Sequence, residues 1–98
     1  MISSTRNYLR KLAHDLNPVV MVGKNGINAS VEEAVNQALI SHELIKIKFI
    51  DFKSSKKELT MLLIEAVDAD LISLIGNIAT LFRQNRDPDD RKIEGVVL

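Results

Sequence analysis

Pro18-Val19-Val20-Met21-Val22-Gly23-Lys24-Asn25-Gly26-Ile27-Asn28 is the stretch on which the reading of this chain turns. The apolar run Val19 to Val22 reads as a short strand, and its lack of alternation predicts that both faces are buried. Two glycines then bracket a lysine and an asparagine. A backbone of that kind can come close to a partner while two polar side chains project from the bend. From about Asn28 to Ser41, Val31, Ala34, Val35, Ala38 and Leu39 recur at helical spacing. This helix has two possible starts: Asn28 caps it, or Ser30 does, with Glu33 closing a capping box. Glu32 and Glu33 read as first-turn acids favoured by the helix dipole. A strand, a glycine bend and a helix in succession make a suitable seat for a phosphate.

Working outward, a first helix is predicted from Ser4 to about Leu16, with Tyr8, Leu9, Leu12, Ala13 and Leu16 as its apolar stripe and Asn17-Pro18 as its stop. Leu44 to Ile50 alternates clearly: Ile45, Ile47 and Phe49 point one way, Lys46 and Lys48 the other. Asp51 to Ser54 reads as a turn. A third helix follows, with Ser55 and Glu58 as a capping box and Leu59, Leu62, Leu63, Ala66 and Val67 as its stripe. Leu71 to Ile75 and Ile78 to Arg83 flank Gly76-Asn77, the signal of a type II′ hairpin. Residues 84–91 are polar and rich in breakers, a loop or frayed tail, and Ile93 to Leu98 is apolar enough to dock at a place the sequence does not specify. The order helix, strand, helix, strand, helix, strand, strand predicts one α/β domain over residues 1–98. Its four-stranded sheet is mixed, with parallel pairs from the alternation and an antiparallel pair from the hairpin.

The 98 residues suit a single domain, and 46% hydrophobic content supplies a real core. With no cysteine, disulfides and thiolate metal sites are excluded. No stretch approaches the roughly 20 apolar residues of a membrane span. Met1 to Arg6 is too polar for a secretory signal, so a soluble cytoplasmic protein is the expectation. Net charge is zero, but its distribution is uneven. Up to Gly26, Arg6, Arg10, Lys11 and Lys24 face Asp15 alone, whereas acids outnumber bases from Ile27 to Ile75. The first quarter is therefore a local positive patch on a neutral molecule, and local potential is what a phosphate meets at close range.

The candidate site residues have plain structural readings beside functional ones. Gly23-Lys24-Asn25-Gly26 can be a tight turn and nothing more, because Gly-x-x-Gly alone is a weak pattern. It is neither a phosphate-binding NTPase loop nor a Rossmann fingerprint. It does share its form with the loop that KH domains clamp on nucleic-acid backbone, although there the loop joins two helices. In the functional reading Lys24 meets a phosphate and Asn25 donates to a phosphate or a 2′-hydroxyl. Lys46 and Lys48 can be ordinary solvation of an open sheet face, Arg83 an edge cation, and Arg10, Lys11 and His14 solubilising charges on the outer face of the first helix. His14 and His42 are the only histidines and the acids are scattered, so no metal and no cofactor is expected. No nucleophile elbow is present, and nothing argues for catalysis.

Taken together, certain residues resemble the CRM domain family, most closely its stand-alone bacterial YhbY-like form. They are Leu12-Ala13-His14, Leu16-Asn17-Pro18-Val19-Val20 leading into Val22-Gly23-Lys24-Asn25-Gly26, then His42-Glu43-Leu44-Ile45-Lys46-Ile47-Lys48, and finally Ile75-Gly76 with Leu81-Phe82-Arg83. The resemblance implies an RNA-binding module with a fold like the C-terminal domain of bacterial translation initiation factor 3. It implies association with ribosomal RNA in precursors of the large ribosomal subunit. A single domain of this charge is expected to bind naked RNA weakly and to draw on ribosomal proteins for further contacts. Carried over by position, the RNA loop is Gly23, Lys24, Asn25 and Gly26, and Lys46 and Arg83 match family positions. Phe82 stands where tyrosine is common, and the tail is longer and more acidic. The rival reading is a protein-interaction module without direct RNA contact, based on the neutral charge, the apolar C-terminus and the few aromatics, Tyr8, Phe49, Phe52 and Phe82. A small enzyme acting on a phosphorylated ligand at the same loop is a second rival, weakened by the lack of an acid–base constellation.

Overall fold

In a computed structural model, which describes residues 1–96 and 98, the chain runs α1 (Ser3–Ala13), β1 (Val20–Val22), α2 (Ala29–His42), β2 (Leu44–Phe49), α3 (Lys56–Val67), β3 (Asp70–Ile75) and β4 (Ile78–Phe82). Short 3-10 turns at Lys53–Ser55 and Pro88–Asp90 complete it. The strands lie in the order β1-β2-β4-β3. Helix α2 carries the chain from β1 to its parallel neighbour β2, in register Val20 to Ile47 and Val22 to Phe49. Strand β4 is antiparallel to both β2 and β3 and lies between them, so the sheet is mixed as expected. At the Gly76-Asn77 turn only Gly76 has a positive φ (+58°), which matches the type II′ geometry.

The alternation of β2 divides the sheet's faces. Ile45, Ile47 and Phe49 point into the core beneath α2 and α3, with Val35, Leu39, Leu63 and Val67. Leu44 points to the other face and packs with Leu9 and Ala13 of α1, Ile72 and Phe82. Helix α1 covers only part of that face. It contacts β2 and β3, and Arg6 ties it to β3 by donating to the carbonyls of Leu71 and Ile72, where the β3–β4 register shifts. The uncovered remainder carries Met21, Lys48, Ile78 and Ile75 as a row across all four strands.

Several expectations need correction. Helix α1 stops at Ala13, three residues before Leu16, with the Leu16 N–H turning back to the Ala13 carbonyl. Tyr8, Leu12 and Leu16 are about 40% exposed, and Thr5, Leu9 and Ala13 supply the buried stripe. Strand β1 is an edge strand, and Met21 is half exposed because α1 does not reach it. Asn28 caps α2, its Oδ1 accepting the Val31 N–H at 3.0 Å. The alternative capping box is not formed, since Glu33 accepts from Gln37. In α3 the buried residues are Thr60, Leu63 and Val67, while Leu62 and Ala66 face solvent. Ser55 makes no side-chain cap, because the 3-10 turn winds straight into the helix. Residues 84–91 form the loop and not the frayed tail of the two alternatives, while Ile93 and Val96 dock as expected, on the α1 core cluster. Val97, in the apolar tail, lies outside the described residues.

Candidate nucleic-acid interface

The glycine loop leaves β1 at the end where β2, its parallel partner, also finishes. Ligands of open α/β sheets gather at such carboxyl ends. The Gly26 N–H donates to the Gly23 carbonyl (3.0 Å), closing a four-residue turn. Only Gly26 needs its glycine for backbone reasons, with φ at +65°. Gly23 has an ordinary φ, and a Cβ there would meet Ile50 Cδ1 at 3.7 Å, a normal contact. Lys24 and Asn25 are exposed at the tip, and among the described residues neither side chain holds a hydrogen bond. The capped N-terminus of the 14-residue α2 follows within three residues, adding the positive end of its dipole. Between the loop, β1 and the first turns of α2 lies a shallow cleft of about 480 Å³, bordered by Met21, Asn28, Ser30 and Ala34.

Of the other basic candidates, three are brought together. Arg10, His14 and Lys46 line a second cleft of about 210 Å³ on the partly open sheet face, with Ser73, Ile78 and Thr80. Lys46 Nζ donates to the His14 carbonyl (3.2 Å), satisfying a group freed where α1 ends. Register links this cleft to the loop: Lys48 stands beside Met21, and Met21 borders the loop cleft. Lys11 is exposed on α1 but does not line either cleft.

Arg83 is not part of this group. It follows Phe82, which pairs with Leu44 at the opposite end of β2 from the loop. Its guanidinium donates to Asn36 Oδ1 (2.8 Å), the Val67 carbonyl (2.7 Å) and the Asn36 carbonyl (3.3 Å). It therefore ties β4 to α2 and to the C-terminus of α3, where a cation is favoured. Beside it, Glu43 has a structural role that sequence reading missed. It is fully buried, and its carboxylate accepts from the backbone N–H groups of Asn85 (2.5 Å), Lys92 (2.6 Å) and Ile93 (3.0 Å). The signal was the connection itself. Glu43 alone joins α2 to β2, at a positive φ of +62°.

Comparison with known proteins agrees with this architecture. A family model described as the CRS1 / YhbY (CRM) domain matches residues 1–83. A Haemophilus influenzae protein named as an RNA-binding protein is 36% identical, over 84% of this chain and 84% of its own length. YqeI of Bacillus subtilis, named as a probable RNA-binding protein, is 29% identical over 84% of this chain and 86% of its own. These names describe RNA-binding proteins and not enzymes. The solution structure of the Staphylococcus aureus protein SAV1595 superposes with a TM-score of 0.78 at 30% identity, covering 95% of this chain and 98% of that one.

Proposed function

This chain belongs to the CRS1 / YhbY (CRM) domain family, and from that premise we propose that it binds RNA, holding phosphates at the Gly23–Gly26 loop with Arg10, His14 and Lys46 as a second contact. It acts without catalysis, in the cytoplasm, on ribosomal RNA in precursors of the large ribosomal subunit. The observation that carries this reading is the state of the loop: Lys24 and Asn25 are exposed and uncommitted, at a helix N-terminus and beside a cleft. Had the bend been covered, with Lys24 turned inward, a phosphate could not reach it. Contacts of this kind fix a backbone's position and read shape rather than base sequence.

Salt titration of binding to fragments of large-subunit ribosomal RNA tests the contact. Lys24→Ala is expected to lower the slope of log affinity against log salt by about one phosphate contact, with Lys24→Glu weakening binding further. Affinity that ignores salt and survives Lys24→Glu would overturn it. Crosslinking in cells tests the assembly role: large-subunit ribosomal RNA should dominate the recovered fragments, and a scatter of unrelated transcripts would count against it. One observation favours the alternative of a protein-interaction module: an apolar groove of about 770 Å³ between α1, the start of β2 and the tail, lined by Tyr8, Leu12, Leu16, Val19, Leu44 and Ile93. The same salt titration separates the two readings.

A further inference from the structure

The connection from β2 to α3 runs against the glycine loop. The N–H groups of Ile50 and Asp51 both donate to the Val22 carbonyl (3.0 and 3.2 Å), which fixes this connection at the loop's base. The Phe52 ring lies on Gly26, where an added Cβ would stand 3.5–3.9 Å from three ring carbons. The residue is nevertheless 41% exposed. Its backbone is left-handed (φ 55°, ψ 34°), a conformation that a bulky residue adopts only when its surroundings impose it. Two hydrogen bonds impose it here. The Phe52 N–H donates to Asp51 Oδ1 (2.8 Å), and the Phe52 carbonyl accepts from the Ser55 N–H (2.9 Å). The effect is to hold a large apolar ring at the surface, although Phe49, three residues earlier, is fully buried. The other aromatic residues are committed elsewhere: Phe82 is buried, and the Tyr8 hydroxyl donates to the Glu94 carbonyl (2.8 Å).

We infer that Phe52 is a stacking platform for one unpaired RNA base, set beside the phosphate seat of the glycine loop. The inference rests on the RNA-binding reading above and narrows its ligand. A nucleotide is itself two-sided, with an anionic phosphate at one end and a flat apolar base at the other. The loop end of this molecule offers the complement: an ammonium and an amide at the tip, and an exposed ring against Gly26. A paired base has both faces covered by its neighbours, so only a nucleotide in a single strand, bulge or loop can use the ring. Stacking tolerates any base, so the preference is for unpaired RNA and not for a sequence.

The test is anisotropy with a fluorescein-labelled single-stranded oligoribonucleotide of mixed sequence and with the same strand in a full duplex. Phe52→Leu keeps apolar bulk but removes the flat ring. It is expected to weaken single-strand binding roughly tenfold, to leave duplex binding unchanged and to preserve the salt slope. Phe52→Tyr should restore the affinity. The chain has no tryptophan, so the emission of Phe52→Trp reports from this position alone, and it should be quenched on single-strand binding. If Phe52→Leu binds the single strand as the parent protein does while Lys24→Ala weakens binding and lowers the slope, the stacking inference fails and the loop reading stands. If Lys24→Ala changes neither affinity nor slope, the loop reading fails and takes this inference with it.

Discussion

The two ends of the sheet use charge in opposite ways. At the end where β1 and β2 finish, Lys24 and Asn25 stand in solvent with no internal partner among the described residues. At the other end every donor and acceptor of Glu43 and Arg83 named above is turned on the protein itself. Glu43 gathers three backbone N–H groups of the tail, and Arg83 bridges two helices. In sequence all of these are charged or polar residues next to apolar strands. Partner count separates them: the fold engages Glu43 and the Arg83 guanidinium several times over, Lys46 gives one of its three donors to the His14 carbonyl and keeps two for a ligand, and the Lys24 ammonium, left over entirely, costs the fold nothing to lose.

The largest expected effect lies at the committed end. Glu43→Ala removes the buried acceptor of three part-buried N–H groups, and should destabilise the domain by about 3 kcal/mol. The tail would then swing out to meet water, lifting Ile93 and Val96 off Leu44 and Phe82. Urea denaturation gives the magnitude, and faster amide exchange over residues 85–96 gives the location. A loss below about 1 kcal/mol with the tail still protected would show that the carboxylate does not hold it. Arg83→Met comes next, at about 2 kcal/mol for the lost charge-assisted hydrogen bonds. Its RNA affinity and salt slope should match the parent's, because its guanidinium is already engaged. A slope reduced by about one would return Arg83 to the phosphate contacts and blur the contrast between the ends.

Most of the fold was legible because periodicity and turn chemistry are local. The alternation from Leu44 to Phe49, the Gly76-Asn77 turn and the spacing in α2 each named an element, and those elements formed. What could not be read is set by neighbours. Nothing in Val19 to Val22 says that β1 becomes an edge strand, so Met21 was expected inside. At the early end of α1 the His14 carbonyl is met by Lys46, a residue 32 positions away that no local pattern could name. The α3 stripe turned from Leu62 and Ala66 toward Thr60 and Ile64, a rotation that depends on which face packs against the sheet and α2 and not on the spacing within the helix. At the candidate site, the loop residues and their exposure followed from composition. Phe52 did not, since an aromatic in a short connection reads as core until the backbone is seen to hold it out.

The smallest effects on stability are the most informative about the loop. Gly26→Ala should cost about 1 kcal/mol, because a side chain is strained at φ +65°. A fall in RNA affinity in that variant could come from a distorted turn. Gly23→Ala has no such ambiguity. The backbone there is not left-handed, and the new methyl would meet only Ile50 Cδ1 at 3.7 Å. Stability should therefore stay within about 0.5 kcal/mol of the parent. If a sugar-phosphate strand packs against this bare stretch of backbone, the methyl holds it off, and affinity should fall roughly fivefold, about 1 kcal/mol. A variant that melts and binds like the parent would confine the contact to the Lys24 and Asn25 side chains. Close backbone approach, the physical reason for having a glycine at position 23, would then be the wrong account of it.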